Sequence, residues 1–140
     1  DKCVQALIDD PEAPMATVCT PFDDADAARA TSNVKVVRSQ HGRALYFSRH
    51  PIPFVRDGAL DDHLHHYLHL GLYAYRREFL MQYAEMAPTP LEQLEKLEQL
   101  RVLEHGYPIA LTETDHKSLG IDTEVEFELA KRLMAEKEQR

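Results

Sequence analysis

The sequence predicts an α/β protein, a mixed sheet with flanking helices, and three observations carry that prediction. Tyr67 to Tyr75 alternates at period two, with Tyr67, His69, Gly71, Tyr73 and Tyr75 on one face and Leu68, Leu70, Leu72 and Ala74 on the other. Val34 to Arg38 and Ala44 to Arg49, joined by Ser39-Gln40-His41-Gly42, read as a β-hairpin. Leu91 to His105 and Glu124 to about Glu138 read as helices, each opened by a Thr cap and a Glu that closes a capping box. A chain of 140 residues accommodates these elements in a single domain, 1–140.

Taken in order, Lys2 to Ile8 is the last part of a helix stopped by Asp9-Asp10-Pro11, so the chain opens inside an element and reads as a fragment. Met15 to Cys19 is an apolar strand in which Cys19 packs rather than reacts. Asp23 to Ala30 is a short Ala-rich helix whose early acids suit its dipole. The hairpin follows and is ended by Pro51 and Pro53. The next stretch, 54–66, is polar and reads as a loop. Its cluster Asp61-Asp62-His63-Leu64-His65-His66 invites a metal, but the sequential His65 and His66 point apart and nothing in the sequence holds them together.

The Tyr67–Tyr75 strand has an apolar back and a front able to floor a small polar site. Extended backbone at roughly 3.3 Å per residue sets His69 and Tyr73 about 13 Å apart, with Gly71 between them leaving room for a ligand. The plainer alternative is a half-buried strand whose Tyr and His heads reach water. Arg76 to Tyr83 continues as a short helix, and Met86 to Pro90 links it to the Leu91–His105 helix. That helix has Thr89 as N-cap, Pro90 in first position, Glu92 in the capping box and Gly106 beyond its end. Its leucines at 91, 94, 97, 100 and 103 wind around the axis at about 100° per residue, so it needs cover on several sides, a second subunit among them. Glu98 shares a face with Leu91, Leu94 and Val102 and needs a partner, either Arg101 or a ligand. Ile109 to Thr112 is a further strand and Glu113 to Lys117 a loop. Asp122 stands just before the Thr123 cap, a place that suits a metal-ligand carboxylate or a turn Asp bonded to its own backbone.

The net charge of -8 argues against nucleic acid and anionic membranes as partners. Residues 33 to 83 nevertheless carry Lys35, Arg38, Arg43, Arg49, Arg56, Arg76 and Arg77 against Asp57, Asp61, Asp62 and Glu78. A small anion fits that local excess, as does an ordinary solvated surface. Cys3 and Cys19 form neither a metal spacing nor a disulfide framework, which points to a reducing, cytoplasmic setting. Apolar runs are too short for a membrane span, and no phosphate-binding Gly loop or internal repeat is present in the sequence.

Asn33-Val34-Lys35-Val36-Val37, Ala44 to Arg49 with Pro51-Ile52-Pro53, and His69 to Arg76 resemble the 3-deoxy-manno-octulosonate cytidylyltransferases. Pro90-Leu91-Glu92, Leu97 to Leu103 and Gly120-Ile121-Asp122-Thr123 continue the resemblance in the family's order, with a weaker echo from Met15 to Ala30. Glu124 departs from the family's usual Pro, a change of small cost at the first helical position. The resemblance implies the C-terminal part of a Rossmann-like nucleotidyltransferase fold that couples CTP to the sugar acid 3-deoxy-manno-octulosonate (Kdo), releasing pyrophosphate, for lipopolysaccharide synthesis. It further implies that Arg49 grips the sugar carboxylate, that His69 and Tyr73 line the sugar pocket, that Glu98 and Gln99 bind its hydroxyls, and that Asp122 holds Mg²⁺. The partners so implied are Kdo, CTP and a second copy in a homodimer. The family's nucleotide-binding half has no counterpart in this sequence, so the expectation is a sugar-binding, dimer-forming half with negligible turnover by itself. Two alternatives stay open: a cytidylyltransferase for a related sugar acid, and a noncatalytic sugar-acid-binding or dimerisation module.

Overall fold

The computed structural model describes residues 2–58, 65–115, 127–128 and 131–132. Its elements are α1 (Lys2–Asp9), β1 (Met15–Pro21), α2 (Ala25–Arg29), β2 (Lys35–Arg38), β3 (Ala44–Ser48), β4 (Tyr67–Tyr75), α3 (Arg77–Glu85), α4 (Pro90–Glu95), α5 (Leu100–Glu104) and β5 (Ile109–Glu113). The strands form one sheet in the order β3-β2-β4-β1-β5. The β1–β5 pair is parallel and the others antiparallel, so the sheet is mixed as predicted.

β1 lies between β4 and β5, which explains why its residues from Met15 to Thr20 are all buried. Its alternation divides two cores. Met15 and Cys19 join Val36, Phe47, Phe79, Leu97, Leu100, Val102, Ile109 and Leu111 on one side. Ala16 and Val18 meet Cys3 and Leu7 of α1, together with Ala13 and Ala110, on the other. β4 divides the same way, with Tyr67, Tyr73 and Tyr75 packed on the first core and Leu70 and Ala74 on the second. Its back is not wholly covered, because Leu72 stays 55% exposed.

Two turns of backbone fix the geometry that follows. The hairpin turn holds Gly42 at φ +72° and folds back until Leu111 N–H donates to Gly42 O at 2.7 Å, which couples β3 to the far edge strand β5. In β4, Thr17 faces Tyr73 and Cys19 faces His69, so Leu70, Gly71 and Leu72 all stand opposite Val18. This is a β-bulge, and Gly71 at φ +64° supplies the conformation that an L side chain resists. The side chains of His69 and Tyr73 meet across the bulge, with ring centroids 5.4 Å apart.

The predicted helix over Leu91–His105 is two helices. Lys96 takes a left-handed conformation (φ 55°, ψ 49°) and ends α4, and α5 starts after Gln99. One straight helix could not have buried leucines spaced by three. The break buries Leu97 and Leu100 with Val102 and leaves Leu94 79% exposed. Glu98 therefore shares no helical face with Leu91 and Leu94. Arg101 makes its hydrogen bonds to Glu92, at 2.5 and 2.8 Å, and to Met86 O at 3.0 Å, and it reaches Glu98 only through a longer-range charge attraction. The predicted capping residue Glu92 does accept from Thr89 N, at 3.1 Å.

Candidate functional site

A hollow of about 300 Å³ opens between the front of β4 and the α4–α5 break, and Arg49, His69, Gly71, Tyr73, Glu98 and Gln99 line it. The five side chains predicted for the sugar site thus share one cavity. They come from three places in the chain: the end of β3, the middle of β4 and the turn that opens α5.

Arg49 follows β3, and a cage of hydrogen bonds sets its position. Glu95 accepts from Ser48 Oγ at 2.7 Å and from Arg49 N at 3.0 Å. The Arg49 guanidinium donates to Glu95 O at 2.9 Å, Thr31 O at 3.2 Å and Lys96 O at 3.4 Å. These partners are backbone carbonyls, so among the described residues its charge is oriented without being neutralised by a carboxylate. Beneath it the fully buried Lys35 donates its ammonium to Ala30 O at 3.0 Å, Asn33 O at 2.6 Å and Arg49 O. Burial, and secondarily the Arg49 charge, push the Lys35 ammonium below its usual range. Lys35 ties the α2–β2 connection to the end of β3 and thereby supports the cavity wall.

His69 is buried against Phe47 in an edge contact at 4.8 Å, and its Nε2 lies 2.8 Å from Thr17 Oγ1. Desolvation lowers its pKa to about 4, so the ring is neutral at pH 7. Tyr73 donates its hydroxyl to Glu98 Oε1 at 3.2 Å. Burial first, then the Glu98 charge, push the Tyr73 phenol up and keep it protonated. Tyr83 donates to Glu98 O at 3.1 Å, so two phenols on different elements hold Glu98 at the rim.

Gln99 differs from these neighbours. It is 1% exposed, and among the described residues neither its Nε2 nor its Oε1 has a hydrogen-bond partner. An unpaired buried amide costs about 1–3 kcal/mol per group, and a ligand that both donates and accepts would remove that cost. The arrangement is a small polar recess lined by an unneutralised guanidinium, a carboxylate and neutral donors and acceptors. It suits a polyhydroxylated acid.

Asp122, the predicted Mg²⁺ ligand, lies outside the described residues, as do Asp61, Asp62 and His63, the Ser118–Thr123 stretch and most of the predicted final helix. His65 is exposed. His66 is not part of a free loop: it is 1% exposed, its Nε2 bonds Pro53 O at 2.8 Å, and its carbonyl accepts from Phe22 N at 3.1 Å. Among the described residues no group of three or more His, Cys, Asp and Glu could hold a metal ion. None of the described helices is long and apolar enough to cross a membrane.

Sequence reasoning missed Lys35, Glu95 and Thr17. Lys35 alternates with Val34 and Val36, which pack into the first core, so the strand pattern gave no sign that its side chain would be buried. Glu95 and Thr17 gave none, because their roles depend on contacts across 46 and 52 residues.

A family model described as cytidylyltransferase matches residues 1–137. The 3-deoxy-manno-octulosonate cytidylyltransferase of Syntrophotalea carbinolica is 47% identical over 129 residues, covering 88% of this chain and 52% of that protein. The protein of the same name from Solibacter usitatus is 43% identical over 133 residues, covering 95% of this chain and 52% of its own length. A solved CMP:2-keto-3-deoxy-manno-octonic acid synthetase in complex with CTP superposes with a TM-score of 0.87 at 39% identity, over 97% of this chain and 55% of that one. The chain spans about half the length of the curated relatives it matches.

Proposed function

The chain belongs to the cytidylyltransferase family, and from that membership we propose that it carries the sugar-acid site of an enzyme transferring CMP from CTP to Kdo. Relatives that bear this name, and a neighbour solved with CTP, support CTP and Kdo as substrates. The observation that carries the reading is the shared cavity of Arg49, His69, Tyr73, Glu98 and Gln99, with a carboxylate-free guanidinium and an unpaired amide inside it.

In the proposed reaction the anomeric hydroxyl of Kdo attacks the α-phosphate of CTP. A new P–O bond forms as the bond to the β-phosphate bridge breaks and pyrophosphate leaves. This chain's residues contribute position. Arg49, held on carbonyls, presents its planar fork to the sugar carboxylate. Glu98 accepts from sugar hydroxyls, and Gln99 both donates and accepts. His69 stays neutral and so adds no second cation to compete for the carboxylate. The anomeric carbon carries the carboxylate, so gripping the acid at Arg49 and the ring hydroxyls at Glu98 and Gln99 holds the adjacent anomeric oxygen in place for attack, and such positioning supplies much of phosphoryl-transfer catalysis. Mg²⁺ on Asp122 belongs to the proposal, and an ion held there would offset the negative charge of the CTP phosphates. A homodimer in the cytoplasm completes the proposal.

Thermal protection tests the sugar assignment. Kdo at millimolar concentration raises the unfolding temperature, and a nine-carbon sialic acid raises it less. Equal protection by both, or by neither, would contradict Kdo as the ligand.

A further inference from the structure

The bulge in β4 has a chemical consequence at the cavity. Where Leu70, Gly71 and Leu72 crowd opposite Val18, the regular exchange of backbone hydrogen bonds with β1 is interrupted. Thr17 bonds into the interrupted stretch: its hydroxyl donates to Leu72 O at 2.7 Å. A carbonyl oxygen only accepts, so the single hydroxyl proton of Thr17 is committed there. The 2.8 Å contact between the same oxygen and His69 Nε2 can then form only if Nε2 carries the proton and Thr17 accepts. The neutral ring has one proton. With it on Nε2, the lone pair is on Nδ1, which has no hydrogen-bond partner among the described residues and belongs to a ring that lines the cavity.

We infer that Thr17 is a positioning residue that fixes His69 as the Nε2–H tautomer, so that Nδ1 meets the bound ligand as a hydrogen-bond acceptor. Thr17 touches no ligand and acts through the imidazole. The assignment rests on the sugar-acid reading of the cavity for the ligand's identity, but not for the tautomer. It also gives the cavity a polarity. An acceptor at His69 favours a hydroxyl and disfavours a carboxylate, which leaves the acid group to Arg49. One tautomer thereby helps to decide which way round a sugar acid enters. Gly71 takes part indirectly, since its positive φ permits the bulge on which the Thr17–Leu72 bond depends.

The test is long-range proton–nitrogen NMR of the histidine rings in ¹⁵N-labelled protein, read before and after addition of Kdo. The inference predicts a pyrrole-type Nε2 and a pyridine-type Nδ1 for His69 in the free protein, with Nδ1 shifting when Kdo binds. Thr17→Val removes the acceptor and turns the ring into a tautomer mixture, weakening Kdo binding about tenfold, the loss of one neutral hydrogen bond. Thr17→Ser keeps a hydroxyl in place and restores both signatures. A proton on Nδ1 in the wild-type protein would overturn the inference without reference to any variant, so a misfolded Thr17→Val does not protect it. An unchanged tautomer and affinity in a folded Thr17→Val would overturn it too. The predicted tautomer in a protein that ignores Kdo would support the positioning role while removing the sugar acid as its ligand.

Discussion

Two hollows on this molecule hold an arginine each, and they differ in how the arginine is satisfied. The larger, about 780 Å³, lies between the end of α1, the hairpin turn and β5. There Arg43 binds Asp10 at 2.6 and 2.8 Å and Glu12 at 2.7 Å, so its charge is matched by two carboxylates. The smaller, about 300 Å³, holds the Arg49 guanidinium on backbone carbonyls and contains an amide with no hydrogen-bond partner among the described residues. The first cluster is complete as it stands and serves to brace α1 against the hairpin. The second lacks only what a ligand would bring. Size therefore does not single out the proposed binding site here; unsatisfied polarity is what favours it.

That contrast is broken most directly by removing each arginine. Arg49→Lys keeps the charge but loses the planar fork, and it should weaken Kdo binding by about a hundredfold, roughly the 1.5–3 kcal/mol of hydrogen bonds to charged groups. Arg43→Lys should leave Kdo affinity unchanged and lower the thermal midpoint. Calorimetric titration of both variants checks the pair, and equal losses of affinity would erase the distinction.

The two regions also separate by pH. His69 has a folded pKa of about 4, below its unfolded value near 6.5, so between those values the unfolded chain binds a proton that the folded chain does not. Stability should fall by up to about 3 kcal/mol as pH drops from about 6.5 to about 4, and His69→Gln should flatten that window in urea unfolding. The Asp10 carboxyl is held below its usual range chiefly by its hydrogen bond from Arg43. Its contribution is complete above the ordinary carboxylate range and is lost as pH falls through and below it. Asp10→Asn should remove only that lower, acid-side loss.

Gln99 sharpens the comparison from the stability side. Gln99→Met fills the same volume without unpaired polar atoms, and it should stabilise the free protein by about 1 kcal/mol while weakening Kdo binding about tenfold. Chemical denaturation and titration of the one variant measure both effects. The smallest change expected is at Lys96, where Gly would relieve the left-handed backbone for a gain of under about 1 kcal/mol, with the Arg49 anchors retained.

Much of this was legible in local pattern. Period-two alternation located β4 at Tyr67–Tyr75, and the Ser39–Gly42 turn marked the hairpin. Glu92 marked the start of α4. What was not legible depends on partners far along the chain. The bulge exists because β1 and β4 count residues differently, and Gly71 by itself looked merely like an open space. The break at Lys96 carries no Gly or Asn to announce it. Leucines spaced by three were the one hint that a single helix would not serve, and a second subunit was the cover inferred from them. The side chains assigned to the cavity came from resemblance to a family, whereas Thr17, Lys35 and Glu95, which hold those side chains in place, needed coordinates.

The central claim is that the small hollow, and not the large one, receives the sugar acid. An amide-resolved NMR titration of the protein with Kdo tests it most directly. The account predicts saturable shifts at Arg49, His69, Gly71, Tyr73, Glu98 and Gln99, with Asp10, Gly42, Arg43 and Thr112 unmoved. Shifts centred on Asp10 and Arg43, or none at any of these residues, would contradict it.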